Sequence, residues 1–194
     1  MKYCTMKYGK SLLVACALLL AAAARADEPQ GSLYDLKLQF TDQGGHKQPL
    51  AVFRGHPVWV IMFYSSCPNA CPLLIESLRA NENGLTQDVR QDLRVLLVSI
   101  DPDRDTPSTL NKLAASRHID TARWMLASAS ADDVRSIAAA LGVQYRRLPN
   151  GEFNHTSVIT LLQRDGEIGK QTSILGRADP ALTAATGAAS VRAH

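Results

Sequence analysis

Fully apolar runs alternate along the chain with segments that are apolar on one face only. Val58-Trp59-Val60-Ile61-Met62-Phe63-Tyr64, bounded by Pro57 and Ser65, has the length and the β-branched and aromatic content of a strand buried on both faces. Leu93–Ile100 is a second such run, closed by Asp101-Pro102, and Trp124–Leu126 is a shorter third. Between them the pattern predicts helices. Leu73–Asn83 places Leu74 and Leu78 one turn apart and stops at Gly84. Thr106-Pro107 caps Ser108–Arg117, with proline where its missing N–H is no loss. Ser130 and Asp133 form a capping box for a helix whose Val134, Ile137, Ala138 and Leu141 repeat at i, i+3, i+4 and i+7 before Gly142.

The ends of the chain read differently. Tyr34–Phe40 alternates with period two and runs into a turn cluster at Asp42–Gly45, a half-buried strand and hairpin end. Val158–Leu162 and Glu167–Ile174 flank Arg164-Asp165-Gly166 and predict an antiparallel hairpin. A short Ala-rich helix is expected from Pro180, with Gly187–His194 as a frayed tail. Together these elements predict one α/β domain, residues 27–186, with a sheet covered by helices on both faces and a C-terminal β-hairpin.

Before that domain stand three lysines and an apolar stretch from Leu12 to Ala24, with Ala24-Arg25-Ala26 offering the small residues a signal peptidase reads. Residues 1–26 are expected to be a cleavable secretory signal, removed before Asp27. Thirteen apolar residues as a helix span about 20 Å, short of the roughly 30 Å hydrocarbon core, so no permanent membrane anchor is expected. Cys16 is an ordinary residue of that stretch, because too little apolar sequence precedes it for a lipoprotein box.

The leader also changes the charge. The chain of 194 residues carries +3 overall, but four bases and no acids fall in the first 26 residues, leaving 17 bases against 18 acids. No basic excess remains to neutralise phosphates, which argues against nucleic acid as a partner. The four cysteines likewise fall to two, Cys67 and Cys71, in a chain expected to reach an oxidising, periplasmic compartment. A domain of this size can bury an adequate core without disulfides, so the pair reads as functional rather than as a staple on a five-residue loop.

Both cysteines lie in Ser65-Ser66-Cys67-Pro68-Asn69-Ala70-Cys71-Pro72, between a buried strand and its helix. Helix N-termini collect there and favour thiolate over thiol, and an i, i+4 spacing lets two sulfurs converge on one external atom or bond to each other. Two thiolates are soft ligands suited to Cu(I) and, less selectively, to Zn(II), and a third ligand is expected. His155 ranks first, just before Val158–Leu162 in a loop with Asn150-Gly151. His46 and His118 read as solvent residues, His56 lies at the far end of the central strand, and His194 is terminal. Asp101, at the end of the second buried strand, opens onto the same sheet edge and is a candidate to orient the metal-site loop.

Cys67-Pro68-Asn69-Ala70-Cys71-Pro72, the run Val98–Pro107 and His155 ahead of Val158–Gly166 resemble, in order and spacing, the Sco/SenC copper chaperones of cytochrome c oxidase assembly. The resemblance covers Leu33 to Gly176. It implies a thioredoxin-like fold, one copper ion bound by Cys67, Cys71 and His155, and a copper-accepting subunit of a cytochrome oxidase as partner, either loaded with copper or reduced at its thiols. Members of the family often have Asp before the ligand histidine, where Asn154 stands here, and many have a longer loop than Arg146–Phe153. The chain is expected to be a monomer.

Two function classes compete on the same cysteines: a metal carrier that passes copper on by ligand exchange, and a thiol–disulfide oxidoreductase acting on partner cysteines without metal transfer. Thioredoxins use a closer Cys-x-x-Cys spacing and a proline just before the facing strand, whereas His155-Thr156-Ser157 occupies that approach here, which favours metal. Peroxide reductases of the peroxiredoxin kind would need Pro and Thr or Ser where Val60 and Tyr64 stand. A closed structural zinc site would need four ligands. Met62 and Met125 are the only methionines beyond the leader, too few for a methionine-rich copper loop.

Overall fold

Strand β3 (Val58–Phe63) is buried at every position, and its side chains divide between two cores as the pleat requires. Trp59, Ile61 and Phe63 join Val95, Leu97, Leu110 and Leu182 on one side. Val58, Val60 and Met62 join Leu96, Val98, Ile137 and Leu141 on the other. Each such side chain contributes about 1.5–3 kcal/mol when fully buried, so this strand and β4 (Arg94–Ser99) anchor the fold. The architecture is that of a computed structural model describing residues 31–67 and 70–191, apart from the side chains of residues 70 and 71. The proposed leader with its cleavage point and Cys16, and residues 192–194, lie outside the described residues.

Among the described residues, seven strands form the main sheet in the order β2-β1-β5-β4-β3-β8-β9. β3, β4 and β5 (Trp124–Ala129) run parallel. Their crossovers place α1 (Ala70–Asn83) and α3 (Pro107–Ser116) on one face. The short α2 (Gln87–Asp92) precedes β4. The opposite face is covered by α4 (Ala131–Ala140) and by 3-10 turns at Leu33–Asp35 and Leu50–Phe53. Thr106 and Ser130 cap their helices through side-chain oxygens, as their sequence positions predict. β8 (Ile159–Leu162) and β9 (Ile168–Thr172) form the C-terminal hairpin, antiparallel to each other and joined to β3 through β8. Helices on both faces and a terminal hairpin are thus present as expected.

Four local readings change. The first strand is β1 (Gln39–Asp42), paired with β2 (Lys47–Pro49). Tyr34 instead sits in a 3-10 turn, because the Ser32 hydroxyl accepts from the Tyr34 amide at 3.2 Å. β5 extends to Ala129, since β1 pairs with its second half. The expected loop after Val143 contains a separate two-stranded sheet, β6 (Tyr145–Arg147) with β7 (Phe153–His155). Finally, α5 (Pro180–Val191) runs through most of the segment expected to fray. Ala189 is 1% exposed, and Arg164 donates to the Ala189 and Ser190 carbonyls, which would otherwise be unsatisfied at the helix end. No helix among the described residues is long and apolar enough to cross a membrane.

Candidate metal centre

At the carboxyl ends of β3 and β4 the chain leaves the sheet in two adjacent loops, where open α/β sheets gather ligands. The Ile100 amide donates to the Phe63 carbonyl at 2.8 Å and holds them side by side. The first loop leads through Tyr64, Ser65 and Ser66 to Cys67, whose amide donates to the Tyr64 carbonyl at 3.3 Å. Cys67 is half-buried and packs against both cores. It precedes α1, and Cys71 falls in the first turn of that helix. The pair therefore straddles the helix start instead of sharing a helical face. The Cys71 side chain, Pro68 and Asn69 lie outside the described residues.

The second loop supports the first. Asp105 is fully buried, and its carboxylate accepts from the Ser65 amide at 3.0 Å, from the Ser65 hydroxyl, and from the Ser99 hydroxyl at 2.5 Å. A carboxylate satisfied by three donors is a rigid post, and it fixes the chain two residues before Cys67. Asp101, the residue singled out from sequence, is also buried, but its carboxylate pairs with Arg104 and not with the cysteine loop. Arg104 in turn donates to the Gly151 carbonyl at 2.6 Å, at the tip of the β6–β7 hairpin.

That hairpin ends in His155, paired across the small sheet with Tyr145. The ring nitrogen Nδ1 lies 3.2 Å from the Thr156 carbonyl. A carbonyl only accepts, so Nδ1 carries the proton and Nε2 of the neutral ring keeps its lone pair, the form in which imidazole binds metal. Burial pushes the His155 pKa below its ordinary value, with the Thr156 carbonyl pulling the other way.

Tyr64 connects the two halves. Its ring packs edge-on against His155 with centroids 5.9 Å apart and against Phe153 at 5.3 Å. Its phenol hydrogen-bonds the Cys67 side chain and lies 3.5 Å from the Phe153 carbonyl. Burial first, and then Cys67, raises the Tyr64 pKa. One buried side chain thus touches both a candidate sulfur ligand and the candidate nitrogen ligand. Tyr64, Ser65 and Asp105 are not singled out by the sequence, which shows Tyr64 as the end of an apolar run and Asp105 only within Val98–Pro107.

The other histidines are elsewhere. His46 is mostly exposed beside Asp42 at 3.3 Å, and His56 pairs with Asp92 at 2.8 Å before the start of β3. His118 follows α3 in a left-handed conformation with φ 49°. It lines a cleft of about 190 Å³ with Arg79, Glu82, Asp120, Arg123 and Trp124, at the start of β5 and away from the cysteine loop. Its charges are already matched, Arg123 with Glu82 and Asp120, and Arg79 with Glu76. The candidate thiol and imidazole therefore lie at the carboxyl edge, bridged by Tyr64.

A family model described as SCO1/SenC matches residues 26–189. The SCO1 protein homolog of Bacillus subtilis is 26% identical over 171 residues, covering 85% of this chain and 88% of that protein. A protein of Stutzerimonas stutzeri is 23% identical over 138 residues, and the chain spans 65% of its length. The structure of Bradyrhizobium japonicum ScoI with copper bound matches at TM-score 0.60 and 24% identity, over 80% of this chain and 94% of that one. That of BsSco, described with a disulfide switch and as a member of the Sco family of cytochrome c oxidase assembly proteins, matches at TM-score 0.64 and 20% identity, over 79% and 91%. These solved structures share the α/β, thioredoxin-like architecture.

Proposed function

The chain belongs to the SCO1/SenC family, and on that premise we propose that it is an exported copper carrier. It holds one copper ion through Cys67, Cys71 and His155 and passes it to the copper-accepting subunit of a cytochrome oxidase. The observation that carries this reading is the contact of Tyr64 with both Cys67 and His155, donors 88 residues apart in sequence. The donor set fits the cargo. Thiolate sulfur is soft and suits Cu(I), imidazole suits either oxidation state, and three ligands leave room for an incoming ligand from the acceptor. Support also comes from the copper in the Bradyrhizobium japonicum relative and from the oxidase-assembly role in the name of BsSco's family. The basic, apolar leader of residues 1–26 supports export.

A second reading uses the same sulfurs. As a thiol–disulfide oxidoreductase, the chain would reduce the acceptor's cysteines by exchange through a mixed disulfide. The disulfide switch described for BsSco favours keeping it. Anaerobic titration of the reduced protein with Cu(I) against a competing chelator separates the two. One tightly held copper per chain, lost in Cys67→Ser, Cys71→Ser and His155→Ala but retained in His46→Ala and His118→Ala, is the expected result. Full retention in His155→Ala would remove the histidine from the ligand set. No competition by the wild type, with cysteines still cycling, would leave the oxidoreductase.

A further inference from the structure

Among the described residues, the β6–β7 hairpin that carries His155 pairs with no strand of the main sheet. Two strands alone are marginal in water, so its position depends on what holds it. Its base is fixed by the Thr156 amide donating to the Gln144 carbonyl at 2.8 Å, and its middle by Phe153 against Tyr64. Its tip is held by Arg104, which donates to the Gly151 carbonyl at 2.6 Å while its Nε is paired with Asp101. Asp101 is 2% exposed, whereas the Arg104 side chain is 40% exposed. The carboxylate is therefore the fixed end, and the guanidinium reaches outward from it. A planar fork serves both acceptors at once, which an ammonium cannot do with the same geometry.

We infer that Arg104 is a positioning residue for His155: anchored on Asp101, it fixes the hairpin tip and thereby sets the balance between the two oxidation states of bound copper. This rests on the copper reading of the same site and adds a control over it. Cu(I) draws most of its affinity from the two soft thiolates and tolerates a displaced imidazole, though not its removal, whereas Cu(II) favours nitrogen and oxygen donors in a tetragonal arrangement. A displaced imidazole therefore costs Cu(II) more than Cu(I). The cysteine loop hangs on a different support, the Ser65 amide and hydroxyl on Asp105, and loosening it costs thiolate-bound Cu(I) at least as much as Cu(II).

The test is to titrate full-length wild type, Arg104→Ala and Ser65→Ala with Cu(I) under anaerobic conditions and with Cu(II), each against a competing chelator, and to record the Cu(II) EPR spectrum. Arg104→Ala is expected to lose roughly 10–100-fold in Cu(II) affinity, the usual loss for a group supporting a metal ligand, with Cu(I) affinity within about threefold of wild type. The potential of the bound ion then rises by about 59 mV for each tenfold of the difference. Ser65→Ala, which keeps the amide bond to Asp105 and loses the hydroxyl bond, is expected to weaken Cu(I) at least as much as Cu(II). Arg104→Lys, which keeps the charge but not the fork, should show the same selective loss in smaller measure and serves if the alanine variant does not fold. Equal losses of both ions in Arg104→Ala, unchanged Cu(II) binding, or a Cu(II)-selective loss in Ser65→Ala would each overturn the inference. Failure of the wild type to bind either ion would instead overturn the copper reading beneath it.

Discussion

Replacing Tyr64 separates two contributions that meet on one side chain. Tyr64→Phe removes the phenol's bond to Cys67, and the 3.5 Å contact with the Phe153 carbonyl is too long to add much. The expected cost is one net hydrogen bond, about 1 kcal/mol of stability. The ring remains, so its packing on Phe153 at 5.3 Å and on His155 at 5.9 Å survives. Tyr64→Leu also removes both ring pairs, at about 0.5–1.5 kcal/mol each, for a total of about 2–4 kcal/mol. Urea unfolding of the metal-free protein measures these losses, and copper titration measures how much reaches the site. If the ring holds His155 in place, Cu(II) affinity falls in the order wild type, Phe, Leu, with the Phe variant within about fivefold of wild type and the Leu variant beyond tenfold. A Leu variant that is destabilised yet binds copper like wild type would show that Tyr64 is a core residue only. A Phe variant as impaired as Leu would assign the effect to the phenol.

Two further outcomes are expected. Because burial lowers the His155 pKa in the folded protein, the unfolded chain binds the proton first as pH falls through about 6.5, so metal-free stability declines below that pH. His155→Gln should flatten that decline, and urea midpoints measured between pH 7.5 and 5 would expose an unchanged slope. Arg164→Met removes one of the two partners of Asp92, leaving His56, and the donors to the Gly55, Ala189 and Ser190 carbonyls, costing about 2–4 kcal/mol. Amide exchange should speed up most in the last turn of α5, and uniform acceleration across the chain would refute that local role.

What was legible in the sequence follows the range of the forces involved. β3 and β4 announce themselves because a strand buried on both faces needs an unbroken apolar run, and Thr106 and Ser130 because a cap acts within three residues. His155 was placed by elimination and by its approach to β8, yet the strand that ends in it went unseen. β6 and β7 are three residues each and hold no fully buried side chain, so they carry no hydrophobic period. The hairpin signal there was Asn150-Gly151, with Gly151 at φ 82°. Asp105 and Ser65 meet across 40 residues, a distance over which no local pattern operates. Asp101 reads from sequence as a support for the metal-site loop, but its partner is the arginine three residues on, which leads to the histidine arm. The helical run to Val191 was missed because its stop depends on Arg164, also distant in sequence.

The hairpin's independence from the main sheet has an evolutionary consequence. β6 and β7 bond to each other, so residues can be inserted or deleted at their turn without shifting the register of any strand in the seven-stranded sheet. The candidate sulfur ligands have no such freedom, since Cys67 follows a buried strand and Cys71 stands in the helix packed on it. One candidate ligand therefore stands on an appendage that can drift in length and sequence while the other two stay on the scaffold of the main sheet. Divergence among relatives should accumulate in this arm first, as changes in its span and charge that leave the sheet beneath it untouched.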